Sequence, residues 1–179
     1  RAPRVVELGV RLGLLWENEL GDLDAAIEHY QLVIAIDRRN RAARLNLADI
    51  YLKRSQFRHA RALLDDLISI TQEDERLEIL PDYIAANMGL ATLIESTDGA
   101  NWEVLECLDR VLDRAPHHEA ALEMIAPLLR ANQKWGRLAD ILMARAQGEG
   151  SSEERLPLLL ECAELYQSRI EQPDDARIA

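Results

Sequence analysis

The sequence predicts an all-α chain, a solenoid of antiparallel helix pairs. Three observations carry that expectation. The 179 residues are 48% hydrophobic but only 4% aromatic, with a single Phe, and Ala and Leu abound, a composition that favours helices over sheets. A large–small–x–x–large pattern recurs along the chain. The chain also aligns with itself, without a gap, at a shift of 78 residues.

The first pair opens on Leu12-Gly13, with Trp16 three residues on. The turn Glu19-Leu20-Gly21-Asp22 follows, then a second apolar stripe of Ala26, Tyr30 and Val33. The second pair runs from Leu47-Ala48 and Tyr51, across the polar break Lys53-Arg54-Ser55-Gln56, to Phe57, Ala60, Leu64 and Leu67. Ala48 and Ala60 are small where two backbones must approach closely. The third pair carries Leu90-Ala91, Ile94, Val104, Leu108 and Val111, with about nine extra residues before it, around Glu75–Tyr83. The expected reading of that insertion is a long, kinked or interrupted helix containing Pro81. Pro116-His117-His118 separates the third pair from the fourth, which carries Ile125-Ala126, Leu129, Trp135, Leu138 and Leu142. Pro127 is a further possible kink. Gly148-Glu149-Gly150 reads as a stop, and Ser151 with Glu154 as a capping box for a fifth unit holding Cys162-Ala163 and Tyr166.

Long and short turns alternate, so the larger period spans two pairs. At the 78-residue shift Leu12–Leu64 falls on Leu90–Leu142, and ten of 53 positions are identical, including Gly21/Gly99, Ala43/Ala121 and Ala48/Ala126. The expected organisation is one array over residues 1–179, with repeats near 4–40, 41–74, 75–118, 119–150 and an incomplete 151–179. The close at Asp174–Ala179 reads as the opening of a helix, and a longer native protein is expected.

Composition removes several function classes. A formal charge of −11, from 21 basic and 32 acidic residues, opposes nucleic-acid binding, which needs a basic surface to displace counterions. No apolar run reaches the ~18 residues of a membrane span. No signal peptide is visible, so a cytoplasmic location is favoured, although a removed signal would leave no trace. Cys107 and Cys162 are 55 residues apart and read as two buried thiols. No nucleotide, hydrolase or zinc motif occurs. The doublet His117-His118 points two ways at a helix start and reads as a solvated turn. No catalytic residue, cofactor or metal is expected. Trp16, Phe57 and Trp135 have places in the repeat core. Trp102 is assigned to the core as well, with a surface anchor as the alternative.

Ala48-x-x-Tyr51 with Phe57, Ala60 and Leu64 resembles a tetratricopeptide repeat. So do Gly21-Asp22-Leu23-Asp24-Ala25-Ala26 with Tyr30, and Val111 through Ala115-Pro116. The resemblance is to divergent, bacterial-type repeats and covers nearly the whole chain. Sel1-like and other helical-pair solenoids share the pattern. The resemblance implies a right-handed superhelix whose concave groove is lined by the first helix of each pair. It implies a non-catalytic scaffold that binds a protein or peptide segment there. A recruiting segment of a larger enzyme and a self-assembly module are the alternatives.

If that geometry holds, equal offsets from each small residue place Glu7, Val10, Leu14, Glu17 and Asn18 in the groove. Leu45, Asp49, Leu52 and Lys53 follow, then Met88, Thr92, Glu95 and Ser96, then Glu123 and Arg130, then Leu160, Glu164, Gln167 and Ser168. This acidic and apolar set suits a basic or amphipathic peptide. The chaperone-tail clamp of one branch of the family is not met. Asn46 fits one clamp position, but Val10, Leu14, Ala85 and Gly89 stand where other polar groups belong. Residues 38–61 hold eight bases and one acid. Arg38, Arg39, Arg41, Arg54, Arg58 and Arg61 are a second candidate surface, for an acidic partner or another copy. Salt bridging to Asp37, Asp65 and Asp66 is the plain alternative.

Overall fold

The structure is a computed structural model that describes residues 2–72, 76–97, 100–147 and 152–170. Among the described residues the chain is helical and contains no strand. In order come α1 (Ala2–Asn18), α2 (Leu23–Ile36), α3 (Arg41–Lys53), α4 (Phe57–Ile70), α5 (Arg76–Ser96), α6 (Asn101–Leu112), α7 (Glu119–Ala131), α8 (Trp135–Gln147) and α9 (Ser152–Leu165). A π-helical turn, Tyr166–Ile170, continues α9. The all-α expectation is met.

Three helices begin on a side-chain cap. The Asp22 carboxylate accepts from the Ala25 N–H at 3.0 Å and starts α2, and Asn40 Oδ1 accepts from Ala43 at 3.0 Å and starts α3. His118 Nδ1 accepts from Ala121 at 3.2 Å and starts α7. Each cap satisfies a backbone donor that the first helical turn leaves unpaired. Gly21, at φ 67, turns the chain between α1 and α2. Pro81 sits inside α5, so the insertion before the third pair is one 21-residue helix. Gly99, the Gly148–Gly150 stop, the Ser151 cap and the final Asp174–Ala179 lie outside the described residues.

The 78-residue period holds at the level of helix boundaries. Leu23, Arg41 and Phe57 open helices, and so do Asn101, Glu119 and Trp135. Asn18 and Lys53 close helices, and so do Ser96 and Ala131. Ser55 and Gln133 occupy the same left-handed conformation, at φ 56 and 55. Around them the bonds repeat: Gln56 N–H donates to the Tyr51 carbonyl at 2.8 Å, and Lys134 N–H to that of Leu129 at 3.0 Å.

Packing divides the chain into two units, Arg1–Leu90 and Ala91–Ala179. In the first, Ala26, Tyr30, Val33, Ala43, Leu47 and Ile50 form one buried cluster across α2 and α3, with Val6, Val10 and Trp16 of α1 packed against it. A second cluster joins Ala48, Ala60, Leu64 and Leu67 to Ile79, Tyr83 and Ala86 of α5. Ala48 and Ala60 are fully buried, as their size requires. Each buried Leu or Ile removes apolar surface worth about 1.5–3 kcal/mol from water.

In the second unit α6 packs on α7, α7 on α8, and α8 on α9. Val104, Cys107, Leu108 and Val111 form the buried stripe of α6. Both thiols are buried, and neither is in a disulfide. Cys162 lies 3.7 Å from the Ala139 carbonyl, and burial pushes its thiol above the ordinary value. The core assignment of Trp102 is corrected: its side chain is 64% exposed. At 100° per residue Trp102 falls on the side of α6 away from that stripe.

Candidate binding face on α1, α3 and α5

The first unit gathers four charged side chains and two neutral polar ones on one face. Glu17 ends α1, and its carboxylate is only 9% exposed. Its Oε2 accepts from the Tyr30 hydroxyl at 3.0 Å, and its Oε1 accepts from Lys53 Nζ at 3.1 Å. Lys53 also reaches Asp49 Oδ2 at 2.6 Å, one turn back on α3. Asn46, on the same helix, donates from Nδ2 to the Tyr30 hydroxyl at 3.3 Å. A charge-assisted bond into a nearly buried carboxylate is worth about 1.5–3 kcal/mol, so this network fixes the side chains it displays.

The electrostatics are uneven. Burial holds the Tyr30 hydroxyl in its protonated form far beyond the usual range, and the bond to Glu17 adds to this. Hydrogen bonds to Asp49 and Glu17 raise the Lys53 ammonium, so it stays charged. Asp82 of α5 is half-buried, and its proton affinity is raised first by that burial and then by the charge of Asp49. Glu17 and Asp49 therefore share one ammonium, while Asp82 beside Asp49 is held in an unfavourable charged state at neutral pH.

Of the groove residues expected from sequence, this face brings together Glu17, Asp49 and Lys53. Val10, Leu45 and Leu52 are partly buried and pack on the two cores instead. Leu14 is 38% exposed; Glu7 is exposed and bonded to Arg11 at 2.8 Å, and Asn18 is exposed. Met88 is half-buried. The second unit holds the others. Thr92 and Glu95 are exposed, as is Ser96, whose hydroxyl donates to the Leu93 carbonyl at 2.8 Å. Glu123 pairs with Arg145 at 3.0 Å and Arg130 with Glu161 at 2.7 Å. Leu160, Glu164 and Gln167 are exposed. Ser168 donates to the Glu164 carbonyl at 2.7 Å.

Asp82 was missed because the equal-offset rule was anchored on the extra-long α5. It lies nine positions before Ala91, one helical turn earlier than the positions sampled.

Much of the basic island is paired within the first unit. Arg54 meets Asp24 at 2.6 Å, which lowers that carboxyl from its ordinary value. Arg41 meets Glu78 at 2.6 Å. Arg44 meets Asp66 at 3.0 Å and also donates to the Arg38 carbonyl at 2.9 Å. Arg58 and Arg61 are engaged as well. Arg38 and Arg39 are exposed. Of the three acids named from sequence as neutralising partners, Asp66 pairs with Arg44. Asp24 and Glu78, distant in sequence, take Arg54 and Arg41.

A second feature escaped sequence reading. Gln31, Ile34, Leu47, Tyr51, His59, Ala62 and Leu63 line an open, mainly apolar hollow of about 290 Å³. Tyr51 anchors it: its ring centroid is 5.2 Å from that of His59, and its hydroxyl accepts from Gln31 at 3.3 Å.

Among the described residues no group of His, Cys, Asp and Glu is placed to hold a metal ion. No described helix is long and apolar enough to cross a membrane. No curated protein matches the chain. Residues 18–80, from the end of α1 into α5, match the family model described as Tetratricopeptide repeat. Repeats of this family generally act as non-catalytic modules of protein–protein interaction. The helix pairs, the buried small residues and that match agree: residues 18–80 are tetratricopeptide-repeat sequence.

Proposed function

We propose that the face formed by α1, α3 and α5 of the first unit binds a segment of a partner protein that carries basic and apolar side chains. The observation that supports this is the proximity of two carboxylates: the charge of Asp49 adds to burial in raising the proton affinity of Asp82, while Lys53 is bonded to Asp49 and Glu17. An incoming guanidinium or ammonium beside Asp82 and Asp49 relieves their repulsion. The protein then gains on binding what it loses while the face is empty. Leu14, exposed on α1, offers apolar contact next to the charges. The expected role is that of an interaction scaffold without chemistry of its own.

The test is calorimetric titration of the chain with a synthetic amphipathic peptide of alternating Arg and Leu. A control peptide carries Glu in place of Arg. The Arg peptide is expected to bind and the Glu peptide not to. The variant Asp49→Asn with Asp82→Asn is expected to weaken binding at least tenfold, about 1.4 kcal/mol, while leaving the Glu17–Tyr30 bond in place. Equal affinity for both peptides, or unchanged affinity in the variant, would remove the proposal.

A further inference from the structure

The α1–α2 hairpin has a second, unrelated face. On α1, Val6 and Val10 pack toward the cluster shared with α3. The helical period puts Val5, Leu8, Leu12 and Leu15 on the other side. On α2, Ile27 and Ile34 pack inward, and Leu32 and Ile36 turn the same way as the outer row of α1. All six outer residues are 42–60% exposed. The register joins the two rows. Gly9 lies against Val33 and Gly13 against Tyr30, so Ile36 falls beside the start of α1 and Leu32 beside its middle. The result is one uncharged apolar patch on the order of 500 Å², at the upper end of what a monomer leaves open.

We propose that a second copy of this chain covers the patch, joining two α1–α2 hairpins into a four-helix bundle about a two-fold axis. Three features argue for a copy. Two such patches bury about 1,000 Å² together, the size at which a specific interface begins. The 3-4-3 spacing of Val5, Leu8, Leu12 and Leu15 is that of a helix–helix seam. The rims are self-complementary. Exposed Arg4 and Arg11 edge the α1 row, and exposed Glu28 edges the α2 row. A two-fold axis parallel to the helices lays each α1 on the partner's α2, base against acid. The Arg11–Glu7 pair, 2.8 Å and exposed at both ends, is weak enough to exchange.

Sedimentation equilibrium of the whole chain tests this. The expected mass is twice the 20.3 kDa of the chain, falling toward the single mass on dilution from about 100 µM. Leu8→Glu with Leu12→Glu and Leu32→Glu is expected to abolish the dimer and keep the helical circular dichroism, because none of these side chains is in the core. Arg11→Glu should raise the dissociation constant several-fold, and adding Glu28→Arg should restore it. A wild-type chain that is monomeric at about 100 µM overturns the proposal. So does a dimer that survives in the triple Glu variant, or a swap that restores nothing. A mass above the dimer overturns it too, since a two-fold face closes at two. None of these variants touches the acidic face, so the peptide titration reports separately.

Discussion

The ring of Tyr30 lies directly on the α1 backbone at Gly13. A Cβ built on Gly13 would stand 2.7 Å from Cδ1 and Cζ of that ring, and closer still to Cε1. Gly89 of α5 has the same relation to Phe57 of α4. In both places an aromatic ring takes the space that a side chain would fill, and the helices approach accordingly.

Gly13→Ala and Gly89→Ala should each therefore destabilise the chain by about 1–3 kcal/mol, the usual cost of forcing extra atoms into a packed site. Gly136→Ala is the control. Nothing lies within 4 Å of a Cβ there, and better helix propensity should add about 0.5–1 kcal/mol. Denaturant unfolding of the three variants checks the prediction. Equal effects at all three positions would mean that the rings move aside.

Ser55 and Gln133 hold the left-handed conformation just after α3 and α7. Neither is glycine, and both lack the freedom this position favours. Ser55→Gly and Gln133→Gly should each raise stability by about 0.5–1 kcal/mol. The two sites are in different units, so the effects should add in the double variant. Thermal unfolding of the singles and the double is the measurement.

Asp82 supplies a pH dependence with a definite sign. Its carboxyl in the folded chain holds a proton more tightly than the ordinary value of 3.8. The folded state therefore binds more protons than the unfolded state as this group titrates, and stability falls as pH rises through that window. Above it, the ionised Asp82 opposes folding. Asp82→Asn should raise Tm by about 2 °C at pH 7, and the gain should vanish below the ordinary carboxylate value. A gain that persists in acid would point to a packing effect instead.

Helix starts, turns and the small residues at crossings were legible in the sequence, because they rest on local chemistry. The breaks at Glu19–Asp22 and Lys53–Gln56 fall where the polar residues put them. Ala48 and Ala60 are buried as their size demands. Side-chain partners were less legible. Arg54 and Asp24 are 30 residues apart, and Arg41 and Glu78 are 37 apart. Nothing local to either residue announces such a pair. Leu45 and Leu52 were placed in the groove by offset alone, yet they pack on the core because the apolar sector of α3 is wider than one row. Trp102 failed for the opposite reason: residue type outweighed its position around α6.

The agreement of helix boundaries at 78 residues has a genetic consequence. A cassette of four helices can be gained or lost through misaligned recombination between its two copies. Wherever the crossover falls in the matched span, the reading restores whole helices. The array can thus lengthen or shorten in steps of four helices, and relatives of this chain should differ by even numbers of helix pairs more often than by odd ones.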